Sequence, residues 1–180
     1  MKDAAAATRR WIEQFVVGEN LCPFAAPVLR DDLLRIVVCD SADEVAQVRS
    51  LLHELDRLQS TPEQELATTV VVYTAGLSAF DDYLDFLAVA EHLLDEAELD
   101  GVIQIASFHP DYCFADATPD DAGNFTNRSP HPMLHLLRED MLTRALRNFP
   151  QPETIPQRNI ARMGELGVEH MRSLLAEIRS

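Results

Sequence analysis

The sequence predicts an α/β protein whose small, mainly parallel sheet of three to four strands is flanked by helices. Three short segments, 33–39, 68–74 and 101–108, have the apolar, Val-, Ile- or Thr-containing composition of buried strands. Between them, apolar residues recur at helical spacing over 45–55 and 80–94. Strands joined by helices of this length favour parallel pairing, because a parallel pair needs a crossover connection. A ferredoxin-like α+β arrangement with antiparallel pairs is the alternative.

Two further helices are predicted in the last third of the chain. Helical patterns occupy the regions near 130–147 and 157–178. Ser129 followed by Pro130 is typical of an N-cap and a first helical residue, which places the start of the first helix there.

The length and composition predict one soluble domain that spans residues 1–180. There is no internal repeat and no low-complexity linker, and 180 residues can bury a substantial core. No apolar run is long enough to cross a bilayer, and the N-terminus lacks the apolar core of a signal peptide. Three cysteines without a CxxC pair indicate free thiols in a reducing compartment. A cytoplasmic location is therefore expected.

The charge distribution limits the classes of partner. The net charge of −15 argues against a nucleic-acid surface, which needs clustered cations. Residues 1–127 hold 24 of the 30 Asp and Glu but only 7 of the 15 Lys and Arg. Lys2 is the one lysine, which excludes P-loop chemistry, and no other nucleotide cofactor signature is present. Recognition of an anionic ligand would rest on arginine, whose planar guanidinium suits carboxylate and phosphate.

A candidate catalytic pair directly follows the third predicted strand. In parallel sheets ligands gather at the carboxyl ends of strands, which is where His109 and Asp111 lie. Histidine is suited to proton transfer near neutral pH, and Asp111 would orient it. Alternatively, His-Pro-Asp forms a turn in which Asp111 accepts hydrogen bonds from backbone amides.

Two polar segments are candidates for anion binding. Asn127, Arg128 and Ser129 lie at a predicted helix start, where free N–H groups and a guanidinium could bind a small anionic ligand. Arg158 and Asn159 follow Pro156 at a second predicted helix start. The alternative is that these side chains satisfy loop carbonyls or pair with nearby carboxylates.

A divalent metal site is a second possibility. His135 and Glu139 would share one face of the predicted helix, and His109 and Asp111 could complete a set of His and carboxylate ligands. No HExxH or similar signature supports the site. The alternative is a core histidine bonded to a carbonyl, with Glu139 on the surface.

Cys22 is a candidate nucleophile. A reactive thiol needs a base or cation beside it, and His109 could serve if the loop around Cys22 folds over the strand ends. A small, buried and inert thiol is the alternative.

Four unusual strings of the chain resemble one known family. They are NLCPFA at 20–25, ASFHPDY at 106–112, NRSP-x-PMLHLLRE at 127–139 and PQRNI at 156–160. They are similar to the mostly bacterial domain-of-unknown-function family 1415, and the resemblance extends from Trp11 to about Leu175. It implies no particular activity. The residues on matching motif positions are His109, Asp111, Asn127, Arg128, His135, Arg138, Glu139, Arg158 and Asn159, whereas Cys113 and His131 depart from the pattern.

The sequence thus favours a small cytoplasmic enzyme that acts on an anionic carboxylate or phosphate metabolite. His109 would be the acid or base, with Arg128 and Arg158 as clamps. One alternative is a metal- or ligand-binding protein without turnover that uses His109, Asp111, His135 and Glu139. A second is a module that docks a partner protein through its polar loop.

Overall fold

The computed structural model describes residues 3–147 and 149–180, so Lys2 lies outside the described part. These residues form four strands, seven α-helices, one π-helix and two 3₁₀ turns. In chain order they are α1 Ala4–Trp11, the π-helix Ile12–Val17, α2 Ala25–Arg30, β1 Leu34–Cys39, α3 Glu44–Ser60, β2 Thr68–Tyr73, α4 Phe80–Glu96, β3 Ile103–Phe108, a 3₁₀ turn Ala122–Thr126, β4 Met133–Arg138, α5 Glu139–Arg147, a 3₁₀ turn Pro152–Thr154, α6 Ile155–Leu166 and α7 Val168–Arg179.

The sheet is mixed, which corrects the prediction of a mainly parallel sheet. Its strand order is β1-β2-β4-β3, with β1 and β2 parallel and β4 antiparallel to both of its neighbours. The three predicted strands still run in one direction, because β4 lies between β2 and β3 and reverses the pairing twice. The order β-α-β-α-β-β also differs from the β-α-β-β-α-β order of a ferredoxin-like fold. The coarse prediction of an α/β protein with flanking helices is confirmed.

The predicted helix at 130–147 begins later than expected, since Met133–Arg138 is a strand. Ser129 does not cap a helix; its hydroxyl donates to the carbonyl of His131 at 2.7 Å and closes a local turn. The segment MLHLLR is buried on both faces in the middle of the sheet, which explains its nearly continuous apolar sequence. The helix starts only at Glu139, as α5.

Helices cover both faces of the sheet. Helices α3 and α4 pack on one face, with Leu51, Tyr83 and Leu136 in the core between them. On the other face the core includes Trp11 and Met133, which are less than a tenth exposed. No helix in the described part of the chain is both long and apolar enough to cross a membrane.

A buried ion pair ties α3 to β1. Glu54 is 2% exposed, and Arg35 donates to both of its carboxylate oxygens, at 2.7 and 3.1 Å. Arg57 lies 3.8 Å from the same carboxylate. A carboxylate buried this deeply depends on its partners, because it has lost its contact with water.

We expect Arg35→Leu to lower the free energy of unfolding by about 2–4 kcal/mol, because it leaves the Glu54 carboxylate buried without its bidentate partner. Urea denaturation measures this change. The double variant Arg35→Leu/Glu54→Leu should recover most of the loss. A double variant as unstable as the single one would show that packing, rather than the unpaired charge, causes the loss.

Candidate functional site

His109 is fully buried, and both of its ring nitrogens are engaged. Nε2 donates to the carbonyl of Leu77 at 3.1 Å, and Nδ1 accepts from the backbone N–H of Asp111 at 3.0 Å. The rings of Phe80 and Tyr83, on α4, lie 5.2 and 5.1 Å from the imidazole. Burial lowers the pKa of His109, which keeps the ring neutral. The Asp111 side chain, by contrast, is at the exposed surface.

The arginine and amide side chains of the loop after β3 bind backbone carbonyls. Arg128 donates to the carbonyls of Tyr112 and Pro119, at 3.1 and 2.8 Å, and its guanidinium stacks over Phe125 at 4.6 Å. The Asn127 amide donates to the carbonyl of Ser107 at 3.1 Å. These contacts agree with the alternative interpretation, in which Asn127 and Arg128 satisfy backbone carbonyls.

Arg158 and Asn159 position the loop that carries Cys22. Arg158 donates to the carbonyl of Asn20 at 2.6 Å, and the Asn159 amide donates to that of Leu21 at 2.8 Å. Both lie in the first turns of α6, as predicted. Two of the family-like strings, 20–25 and 156–160, therefore meet through these hydrogen bonds.

The structure does not bring the four proposed metal ligands together. His109 packs against α4 on one face of the sheet, whereas His135 lies on the opposite face. The N–H of Glu139 donates to the carbonyl of Val102, seven residues before His109, so Glu139 lies roughly 23 Å along the strands from His109. Among the described residues, no three His, Cys, Asp or Glu side chains cluster in a way that could hold a metal.

A cavity of about 220 Å³ lies between the sheet and the N-terminal layer of helices. Its lining is mainly apolar and includes no Arg, Lys, Asp or Glu among the described residues. Of the predicted site residues, it brings together Cys22, Asn127, His135 and Asn159. The residues that line it also include Trp11, Ala25, Thr68 and Ala106.

His135 lies on the sheet floor of this cavity, between Val70 of β2 and Ala106 of β3 in the strand register. Its Nε2 lies 2.7 Å from the hydroxyl of Thr68, and that hydroxyl donates to the carbonyl of Leu136 at 2.5 Å. A carbonyl can only accept, so the Thr68 proton is engaged there and Nε2 of His135 must be the donor to Thr68. Burial lowers the pKa of His135 to about 4, so the ring is neutral at pH 7.

Two further polar groups belong to the cavity wall. Burial raises the pKa of the Cys22 thiol, so it is protonated at neutral pH, although N–H groups of Phe24 and Ala25 act in the opposite direction. Trp11 is 3% exposed, and no described residue accepts a hydrogen bond from its indole N–H. The raised pKa of Cys22 and the indole N–H of Trp11, unpaired among the described residues, do not activate the thiol as a nucleophile.

Sequence reasoning missed Thr68, Trp11 and Ala106 as cavity residues. The available signals were weak: Thr68 opens an apolar strand, Trp11 is the one tryptophan of the chain, and Ala106 is a small residue in the third strand. They meet only because β4 is a strand, where the sequence predicts the start of a helix.

The fold and the cavity define an α/β protein that encloses an apolar pocket against one face of a mixed four-stranded sheet. The chain belongs to the family described as "Protein of unknown function (DUF1415)", whose model matches residues 3–173. The resemblance drawn from the sequence strings is thereby confirmed. No curated protein and no solved structure matches the chain.

We expect His109→Ala to lower the free energy of unfolding by about 2–4 kcal/mol. The change leaves the Leu77 carbonyl and the Asp111 N–H without their partner and opens a void beside Phe80 and Tyr83. Urea denaturation provides the measurement, and His170→Ala, at an exposed position of α7, is the matched control. A His109 variant as stable as this control would contradict a structural role.

The low pKa of His135 makes stability depend on pH in a defined window. In the unfolded chain histidine takes up its proton near pH 6.5, whereas folded His135 does so only near pH 4. Stability from this group is therefore fully present above about pH 6.5 and falls by about 3 kcal/mol as the pH drops to about 4.

Urea denaturation of the wild type and His135→Phe between pH 6.5 and 4 tests this dependence. We expect a flatter pH profile for His135→Phe, because the carboxylates contribute equally to both proteins. His170→Gln should keep the wild-type profile. Identical slopes for the wild type and His135→Phe would contradict the shifted pKa.

Proposed function

We propose that this protein binds a small, mainly apolar molecule in the cavity between the sheet and the helices α1 and α2. One observation carries the proposal: the cavity is largely apolar and uncharged, yet it has a few polar groups at fixed positions, among them His135. Cavities of this kind are the usual form of small-molecule sites. This is the ligand-binding alternative of the sequence analysis, with His135 retained and His109, Asp111 and Glu139 outside the site.

The contacts favour this proposal over an enzyme for an anionic metabolite. Arg128 and Arg158, the expected clamps, donate to backbone carbonyls, and His109 has both nitrogens engaged. Nε and Nη2 of Arg128 and Nη2 of Arg158 are thus already bonded to main-chain carbonyls. Cys22 as a nucleophile is also disfavoured, since burial raises the pKa of its thiol.

The cavity also favours a small ligand over a docked partner protein, because its polar groups face a concave space rather than a convex surface. We further propose that binding takes place in the cytoplasm, since Cys22, Cys39 and Cys113 are free thiols, which a reducing compartment maintains.

Trp11 provides a direct test, because it is the one tryptophan and it lines the cavity. Iodobenzene is small and apolar, and its iodine quenches indole fluorescence on contact. We expect saturable quenching of Trp11 emission by iodobenzene in the wild type. Ala106→Phe, which fills the cavity from β3, should reduce the quenching to a weak linear dependence on concentration.

Two further variants serve as a control and as a replacement in this experiment. Ala88→Phe adds the same side chain at an exposed position of α4, on the other side of the sheet, and should bind like the wild type. Ala25→Leu narrows the cavity from α2 and replaces Ala106→Phe if circular dichroism shows that the latter does not fold. Linear quenching in the wild type, equal to that of a filled variant, would refute the proposed cavity site.

A further inference from the structure

We propose that the cavity selects ligands that carry a neutral hydrogen-bond donor, a hydroxyl or an N–H, and that Nδ1 of His135 accepts this hydrogen bond. The inference rests on the proposed function and names the chemistry of its ligand: an apolar frame with one uncharged donor.

The first step is the tautomer of His135. The Thr68 hydroxyl donates to the Leu136 carbonyl, and its remaining capacity is to accept from Nε2 of His135, 2.7 Å away. The carbonyl is part of β4 itself, so the direction of this chain of hydrogen bonds is fixed by the sheet. The ring proton is held on Nε2, and Nδ1 is left with its lone pair.

The second step is the state of Nδ1. No described residue donates a hydrogen bond to it, and His135 is half-buried on the floor of the cavity. Its cross-strand neighbours on the cavity face are Val70 and Ala106, which offer no side-chain polar group. The methyl group of Ala106 also leaves open space beside the imidazole. An acceptor in apolar surroundings gains most from a ligand that donates to it.

The third step excludes charged ligands. The described lining residues include no side chain with a formal charge, and the His135 ring is neutral at pH 7 because burial lowers its pKa. A carboxylate or phosphate would lose its hydration without gaining a cation. A protonated amine would lack a carboxylate partner for the same reason. The donor must therefore be uncharged.

A matched series of iodobenzenes tests the inference through the same quenching of Trp11. 3-Iodophenol presents a donor, 3-iodoanisole has the hydroxyl replaced by a methyl ether, and 3-iodobenzoate is an anion at pH 7. We expect 3-iodophenol to bind roughly tenfold more tightly than 3-iodoanisole, the effect of about one hydrogen bond. We expect no saturable quenching by 3-iodobenzoate.

Variants locate the preference on the His135–Thr68 pair. His135→Phe removes the acceptor, so 3-iodophenol and 3-iodoanisole should bind to this variant with equal affinity. Thr68→Val removes the hydroxyl that fixes the tautomer and should reduce the preference, whereas Thr68→Ser keeps the hydroxyl and should preserve it. The comparison of Thr68→Val with Thr68→Ser tests the role of the pair if His135→Phe does not fold, and equal preferences in the two variants would refute it.

The possible failures are distinct. If neither iodobenzene nor any member of the series quenches Trp11 saturably, the proposed function fails and the inference fails with it. If iodobenzene binds but 3-iodoanisole or 3-iodobenzoate binds as tightly as 3-iodophenol, the cavity site stands and the donor selectivity is refuted. A preference for 3-iodophenol that survives in His135→Phe also refutes the role of His135.

Discussion

The antiparallel insertion of β4 between β2 and β3 is the constraint on which the rest of this structure depends. The crossover through α4 leaves a space one strand wide between two parallel strands, and β4 fills it with a hydrogen-bonded ladder on each side. Side chains alternate along a strand, so Leu134 and Leu136 pack under α3 and α4 while His135 faces the other layer. A shift of one residue in this register would exchange the two sets.

Most of the candidate catalytic and binding residues lie in the loop that connects β3 to β4. It connects two adjacent strands through more than twenty residues, and its backbone groups need partners where they are buried. His109, Asn124 and Arg128 provide such partners through hydrogen bonds with main-chain atoms of the loop. His109 and Asn127 also tie the loop to the carbonyls of Leu77 and Ser107. A polar loop of this composition is therefore an internally bonded structural unit, and the cavity lies beside it on the apolar face.

Local patterns were sufficient where they had one interpretation. The strands at Leu34–Cys39, Thr68–Tyr73 and Ile103–Phe108 and the helices between them follow from hydrophobic periodicity and agree with the structure. The pattern of Met133–Arg138 had two interpretations, because a short apolar run that precedes a helix can be its first turns or a buried strand. Pairing with β2 and β3 decides between these, and pairing is a contact between distant parts of the chain. His135 and Glu139 would share one face only in a helix. Because His135 lies in β4 and Glu139 begins α5, the two proposed metal ligands are not adjacent.

The sequence by itself determined the α/β class, the three strands that run in one direction, the family and the residue types available for chemistry. Those properties depend on local periodicity and on strings that are recognisable without their partners. Only the tertiary structure decided which polar groups face a ligand-sized space and which are bonded to the backbone. The sequence does not show which face of the sheet a side chain lies on. The position of β4 in the sheet decides that His135 lines the cavity, whereas His109 is bonded to the backbone on the other side.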